Sequence, residues 1–151
     1  IKTTMMKKIF VLLFLLISIH VKAKENDTTI AKYQSQLEAC NKEQEKYLET
    51  EEGMTTAGMK YSNYEKVKCY KNIVYDILKK YYPKYTANEI KKRFDNYVQA
   101  TFELYGNIYL LNNECPENCG TVFFVVYTDI ATDKIEDIVK NFIHIVEITN
   151  N

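Results

Sequence analysis

Apolar side chains recur at intervals of three and four along most of the chain beyond residue 28, and that rhythm restricts it to packed helices. From Thr29 to Glu52 the inward positions are Ile30, Tyr33, Leu37, Cys40, Tyr47 and Leu48, and Gly53 is the expected stop. A second stripe, Met59, Val67, Tyr70, Val74, Ile77, Leu78 and Tyr81, follows a cap at Thr55 or Thr56 and ends at Pro83. Thr86-Ala87-Asn88-Glu89 has the form of a capping box and opens a third stripe: Ile90, Phe94, Tyr97, Val98, Thr101, Leu104, Tyr105 and Ile108. Residues 112–120 read as a loop. The run Val122 to Tyr127 is rich enough in β-branched and aromatic residues for a strand. No partner strand occurs elsewhere, and a lone strand leaves its backbone unpaired. The spacing of Ile135, Ile138, Val139, Phe142, Ile143 and Val146 therefore extends to a helix over 121–148, with a break expected near Thr128 to Asp133. The expected fold is all-α, a small antiparallel bundle of about four helices stapled by disulfides.

The first 23 residues follow a different rule. Met5 and Met6 precede Lys7 and Lys8, and Ile9 to Ile19 then form an unbroken apolar run with only Ser18 inside it. A basic start, a short apolar stretch and the exit Val21-Lys22-Ala23 are the parts of a bacterial export signal. The run is shorter than the roughly 20 residues needed to span a bilayer. Residues 1–23 are read as a signal peptide cleaved after Ala23, with Ile1 to Thr4 upstream of the true start; an uncleaved anchor is the alternative. Residues 24–151 are then one helical domain, periplasmic or secreted.

The formal charge of zero includes that segment. Lys2, Lys7, Lys8 and Lys22 leave with it, so the remainder carries 16 basic and 20 acidic side chains, a net charge of −4. A mildly acidic surface argues against nucleic acid, whose phosphates need clustered cations. Once the signal is removed, no membrane partner is expected. Glu43, Glu45, Glu49, Glu51 and Glu52 crowd the end of the first helix, and Glu49, Glu51 and Glu52 are the candidate contacts for a protein partner. A solvated helix face explains the same residues.

Four cysteines, Cys40, Cys69, Cys115 and Cys119, follow the signal, an even number that suggests two disulfides in an oxidising compartment. The chemical alternative, a metal site, would have only His144 beyond residue 23 to add to them. Counting outward from the turn at Glu52–Met54 places Cys40 and Cys69 at similar height on antiparallel neighbours, so Cys40–Cys69 and Cys115–Cys119 are the expected pairs.

No catalytic motif is present. Serine and cysteine nucleophiles need a histidine base, and His144 lies between two isoleucines as a structural or surface residue. No phosphate-binding glycine loop or H-E-x-x-H occurs, and neither cofactor nor metal is expected. Paired carboxylates meet only in the fold, so a cell-wall hydrolase stays open as a third reading.

The segment Thr55-Thr56-Ala57-Gly58-Met59, with an aromatic-rich amphipathic helix after it, resembles the T-A-G-M segment of the lysozyme-inhibitor LprI N-terminal-domain family. Gln99 and Phe102 stand where that family tends to show Gln-x-x-Trp, and Gly120-Thr121 matches a Gly-Thr pair that opens its last helix. Order and spacing agree over roughly 54–146. Ser62 replaces the family's Cys three residues after the Met, Glu49 stands near the place of its partner Cys, and Tyr70-Lys71 replaces a Trp-Asp pair. The resemblance implies an exported, disulfide-bearing helical protein and, for some members of the family, inhibition of a lysozyme; the leading reading is a non-enzymatic protein that binds another protein, with a lysozyme as the candidate partner. An envelope or immunity protein directed at another cell-wall factor is the alternative.

Overall fold

The computed structural model describes residues 31–112 and 122–150. The expected signal peptide, the Cys115–Cys119 pair and the Gly120-Thr121 motif lie outside them. Four helices make up the described chain: α1 over 31–48, α2 over Thr56–Tyr81, α3 over Lys84–Asn112 and α4 over Val122–Asn150. No strand occurs among the described residues. No helix among them is long and apolar enough to cross a membrane.

Consecutive helices are antiparallel, as the side-chain pairings require. Tyr33 at the start of α1 reaches Asp76 late in α2, whereas Tyr47 at the end of α1 packs on Tyr61 early in α2. In the same way Tyr75 meets Asp95 and Tyr64 meets Phe102 across α2 and α3. Across α3 and α4, Phe94 packs edge-on against Phe142. Helices α2 and α4 therefore run parallel, and their contact is more extensive than that of α3 with either of them. The core joins Tyr33, Leu37 and Cys40 of α1 to the fully buried Tyr70, Val74 and Ile77 of α2 and to Ile135 and Val139 of α4. Helix α3 adds Phe94 and Val98. Its expected inward residues Leu104 and Tyr97 are exposed instead, because α3 packs less deeply than its stripe predicts.

Cys40 and Cys69 form the expected disulfide, with Cα atoms 5.9 Å apart, and tie α1 to α2.

Three local expectations are corrected. Helix α1 ends at Leu48, not at Glu52. There the Thr50 hydroxyl donates to the Tyr47 carbonyl and accepts from the Gly53 amide, which turns the chain before Gly53. Helix α3 begins at Lys84, so Thr86 lies inside its first turn and does not cap it; the Pro83 carbonyl already accepts the Ala87 amide, upstream of the expected Thr86–Glu89 box. Tyr82 is extended ahead of Pro83, which ends α2 and leaves the proline to start α3. Helix α4 is unbroken through Thr128 to Asp133. Thr128 and Thr132 return their hydroxyls to the carbonyls of Phe124 and Thr128, four residues back, so both polar groups are satisfied without opening the helix.

Candidate functional site: the acidic α1–α2 corner

The connection between α1 and α2 is built backbone against backbone. Thr55 caps α2, its side chain accepting from the Gly58 amide at 2.9 Å, and the Glu52 carbonyl accepts from both the amide and the hydroxyl of Thr55. Gly58 then lies against Glu52 and Gly53 so closely that a Cβ atom there would sit 2.1 Å from the Glu52 oxygen. At Gly53 a Cβ would come equally close to the Tyr47 oxygen. Neither glycine is needed for an unusual backbone angle; both are needed for space. The Thr-Ala-Gly-Met segment thus has a physical meaning: a cap followed by a residue with no side chain lets α2 turn back hard against the end of α1.

That tight corner presents a particular surface. Glu49, Glu51 and Glu52 are exposed on it, and Glu43 and Glu45 extend the acidic rim down α1. Met54 and Tyr61 stand out at 59% and 53% exposure, and Tyr61 packs against Tyr47 with ring centroids 5.6 Å apart. The apolar centre is a tertiary feature, since it joins residues on both sides of the turn. Sequence reading named the acids and missed the centre. Met and Tyr are among the residues favoured at protein–protein contacts. Chemically the corner offers carboxylate acceptors around a small apolar centre.

The other motif residues act within the bundle. Gln99 is exposed and donates to Glu103 at 2.8 Å, while Phe102 packs half-buried on Tyr64. Ser62 is fully buried, and its hydroxyl has no hydrogen-bond partner among the described residues.

A second polar cluster joins three helices. The buried Tyr70 hydroxyl of α2 lies within hydrogen-bond reach of Glu136 on α4, at 2.9 Å, and of Asn41 on α1. Asn41 also donates to Glu136, and Lys140 reaches it at 2.9 Å. Burial alone would raise the Glu136 carboxyl; the hydrogen bonds from Lys140, Tyr70 and Asn41, with the Lys140 charge, outweigh it and hold the group below its usual value. One turn away the opposite holds. Burial and then the charges of Asp129 and Glu136 push Asp133 up, and Lys66 only partly opposes them. A hydrolase would need a carboxyl kept protonated beside an ionised one in an apolar cleft. The groove between α1 and α4, about 340 Å³, carries Glu38, Glu136 and Glu147; Lys42 and Lys140 lie beside the first two, and the His144 ring contacts Glu147. His144 itself is exposed and contacts Glu147 at 3.2 Å, a surface residue as expected. No cluster of three metal-ligand side chains occurs among the described residues.

Compared with protein-family models, curated proteins and solved structures, the chain matches none.

Proposed function

We propose that this chain is an exported, non-enzymatic binding protein that docks a basic protein on its α1–α2 corner, with a lysozyme as the candidate partner. The observation that carries this reading is the rigid acidic edge itself: Glu49, Glu51 and Glu52 exposed around Met54 and Tyr61, on a turn fixed by Gly53 and Gly58. A preformed edge loses little freedom on binding, which favours affinity. Its charge complements a cationic enzyme, speeding encounter and making the association salt-dependent. The disulfide supports an oxidising compartment, and the apolar run Ile9 to Ile19 supports export.

The test is inhibition of a basic lysozyme by the chain from Lys24 onward, measured across salt. Inhibition should weaken as ionic strength rises. Reversal of Glu49, Glu51 and Glu52 to Lys should weaken binding at least about tenfold at low salt, since it converts exposed attractions into repulsions. Full lysozyme activity at saturating protein, across several lysozyme types, would reject the inhibitor reading and move the partner to another cell-wall-directed factor.

A further inference from the structure

The far end of α2 has the opposite character. Over residues 79–93 the chain carries six basic side chains, Lys79, Lys80, Lys84, Lys91, Lys92 and Arg93, against one acid, Glu89. All six are exposed. Lys79, Lys80 and Lys84 flank the Tyr82-Pro83 bend between α2 and α3, and Lys91, Lys92 and Arg93 follow two turns into α3; an open groove of about 490 Å³ has Tyr75, Leu78 and Tyr82 in its lining and Lys79, Lys84 and Lys91 around it. Lys91 lies 4.1 Å from the centre of the Tyr75 ring, and Tyr85 projects from the tip at 80% exposure. Among the described residues, Lys79, Lys84, Lys92 and Arg93 enter no ion pair; the nearby acid Asp95 is taken up by Lys71 and Tyr75.

We propose that this basic, tyrosine-bearing tip is a docking surface for an anionic phospholipid bilayer, which holds the protein at a membrane by surface contact. Charge complementarity is the first reason: clustered lysines near an anionic leaflet each add to its attraction. Tyr85 and Tyr82 are the second. A tyrosine places an apolar ring and a polar hydroxyl across the headgroup boundary, and lysine stems lie along the same boundary with their charges in water. An acidic peptide could fill the groove, but it would leave the projecting Tyr85 unused; a planar surface engages the tip as a whole. Surface docking departs from the expectation of no membrane partner after signal removal, and the vesicle experiment decides between them.

The test uses the chain from Lys24 onward, which contains all four helices and the disulfide, sedimented with vesicles of phosphatidylcholine alone or with about a third phosphatidylglycerol. Binding should require the anionic lipid and fall away in high salt. The triple substitution Lys79→Gln, Lys84→Gln and Lys91→Gln should lower partitioning about a hundredfold. The matching triple Lys→Arg variant keeps the charge and should bind like the unsubstituted chain, which separates lost charge from lost fold. Tyr85→Ser should weaken binding several-fold. Equal binding to both vesicle types, no binding to either, or full binding by the triple Gln variant would overturn the proposal. So would capture of a polyglutamate peptide by a chain that ignores the vesicles.

Discussion

Adding one methyl group at Gly58 should destabilise the protein, against the general rule for glycine in helices. Gly58 lies in the first turn of α2, where replacement by Ala ordinarily gains about 1 kcal/mol through backbone entropy. Here the new Cβ would sit 2.1 Å from the Glu52 oxygen and 2.8 Å from the Gly53 Cα, against the 3.4 Å at which ordinary contact begins. More than an ångström must be made up by moving backbone, and that backbone is held by the Thr50 and Thr55 hydrogen bonds. Overpacking of this kind costs about 3 kcal/mol, so Gly58→Ala should come out roughly 2 kcal/mol less stable. Gly106 in α3 is the internal control. A Cβ there would meet the Tyr127 ring at an ordinary 3.7 Å, so Gly106→Ala should show the usual gain of about 0.5–1 kcal/mol. Urea unfolding of both variants, followed by far-ultraviolet circular dichroism, reads the two signs directly. If Gly58→Ala is as stabilising as Gly106→Ala, the backbone-on-backbone account of the corner is wrong.

The Cys40–Cys69 bridge closes a loop of sequence separation 29, which chain entropy values at about 3.6 kcal/mol. The double substitution Cys40→Ser with Cys69→Ser should therefore lower the calorimetric Tm by roughly 10 °C, and a drop of only one or two degrees would contradict it. Glu136 and Asp133 should shape the acid limb of stability in opposite senses. The depressed Glu136 carboxyl stabilises the fold above its unfolded value near 4.5 and loses that contribution as pH falls through its lower folded value. Glu136→Gln should thus cost about 1 kcal/mol at pH 7 and flatten the acid limb. Asp133 is raised, so its contribution is present below its unfolded value near 3.8 and lost as pH rises through the folded one. Asp133→Asn should stabilise the protein at neutral pH, with the gain vanishing in acid; urea midpoints taken across pH check both signs.

The helices and one disulfide were legible because their signals are local and repeated. Six or more apolar positions at helical spacing outvote any single residue, and two cysteines at similar distances from a turn need only a helix pair to meet. The corners were less legible, since each turns on one hydrogen bond that competes with good helix formers. Glu49, Glu51 and Glu52 all favour continuing α1, but the Thr50 hydroxyl takes the Gly53 amide and ends it. Thr86 and Glu89 carry the pattern of a cap, but Pro83 starts the helix first. Thr128 and Thr132 resemble a break to any rule of composition and are instead satisfied inside α4. Of the candidate site, the exposed acids could be read from sequence and the Met54–Tyr61 centre could not. The Tyr70–Asn41–Glu136 cluster was out of reach, because it joins positions 29, 66 and 95 residues apart.

Net charge misled in a way that the fold explains. The value of −4 beyond residue 23 conceals two oppositely charged clusters: five acids within residues 43–52, at the end of α1 beside the start of α2, and six cations within 79–93, around the finish of α2 and the first turns of α3. Helix α2 has 26 residues, so its ends are separated by about 39 Å, several times the screening length of about 8 Å at physiological salt. Across that distance Glu49, Glu51 and Glu52 act independently of Lys79, Lys80 and Lys84. Each cluster should lose its partner as salt rises, so salt dependence alone cannot assign a binding event to either end. Substitution can. Reversing Glu49, Glu51 and Glu52 should leave vesicle binding intact, because the acids are remote from the tip. Neutralising Lys79, Lys84 and Lys91 should leave association with a basic protein intact for the same reason. If either set abolished both activities, the two surfaces would be one site or the bundle would have unfolded, and the unchanged Tm expected of exposed substitutions distinguishes those outcomes.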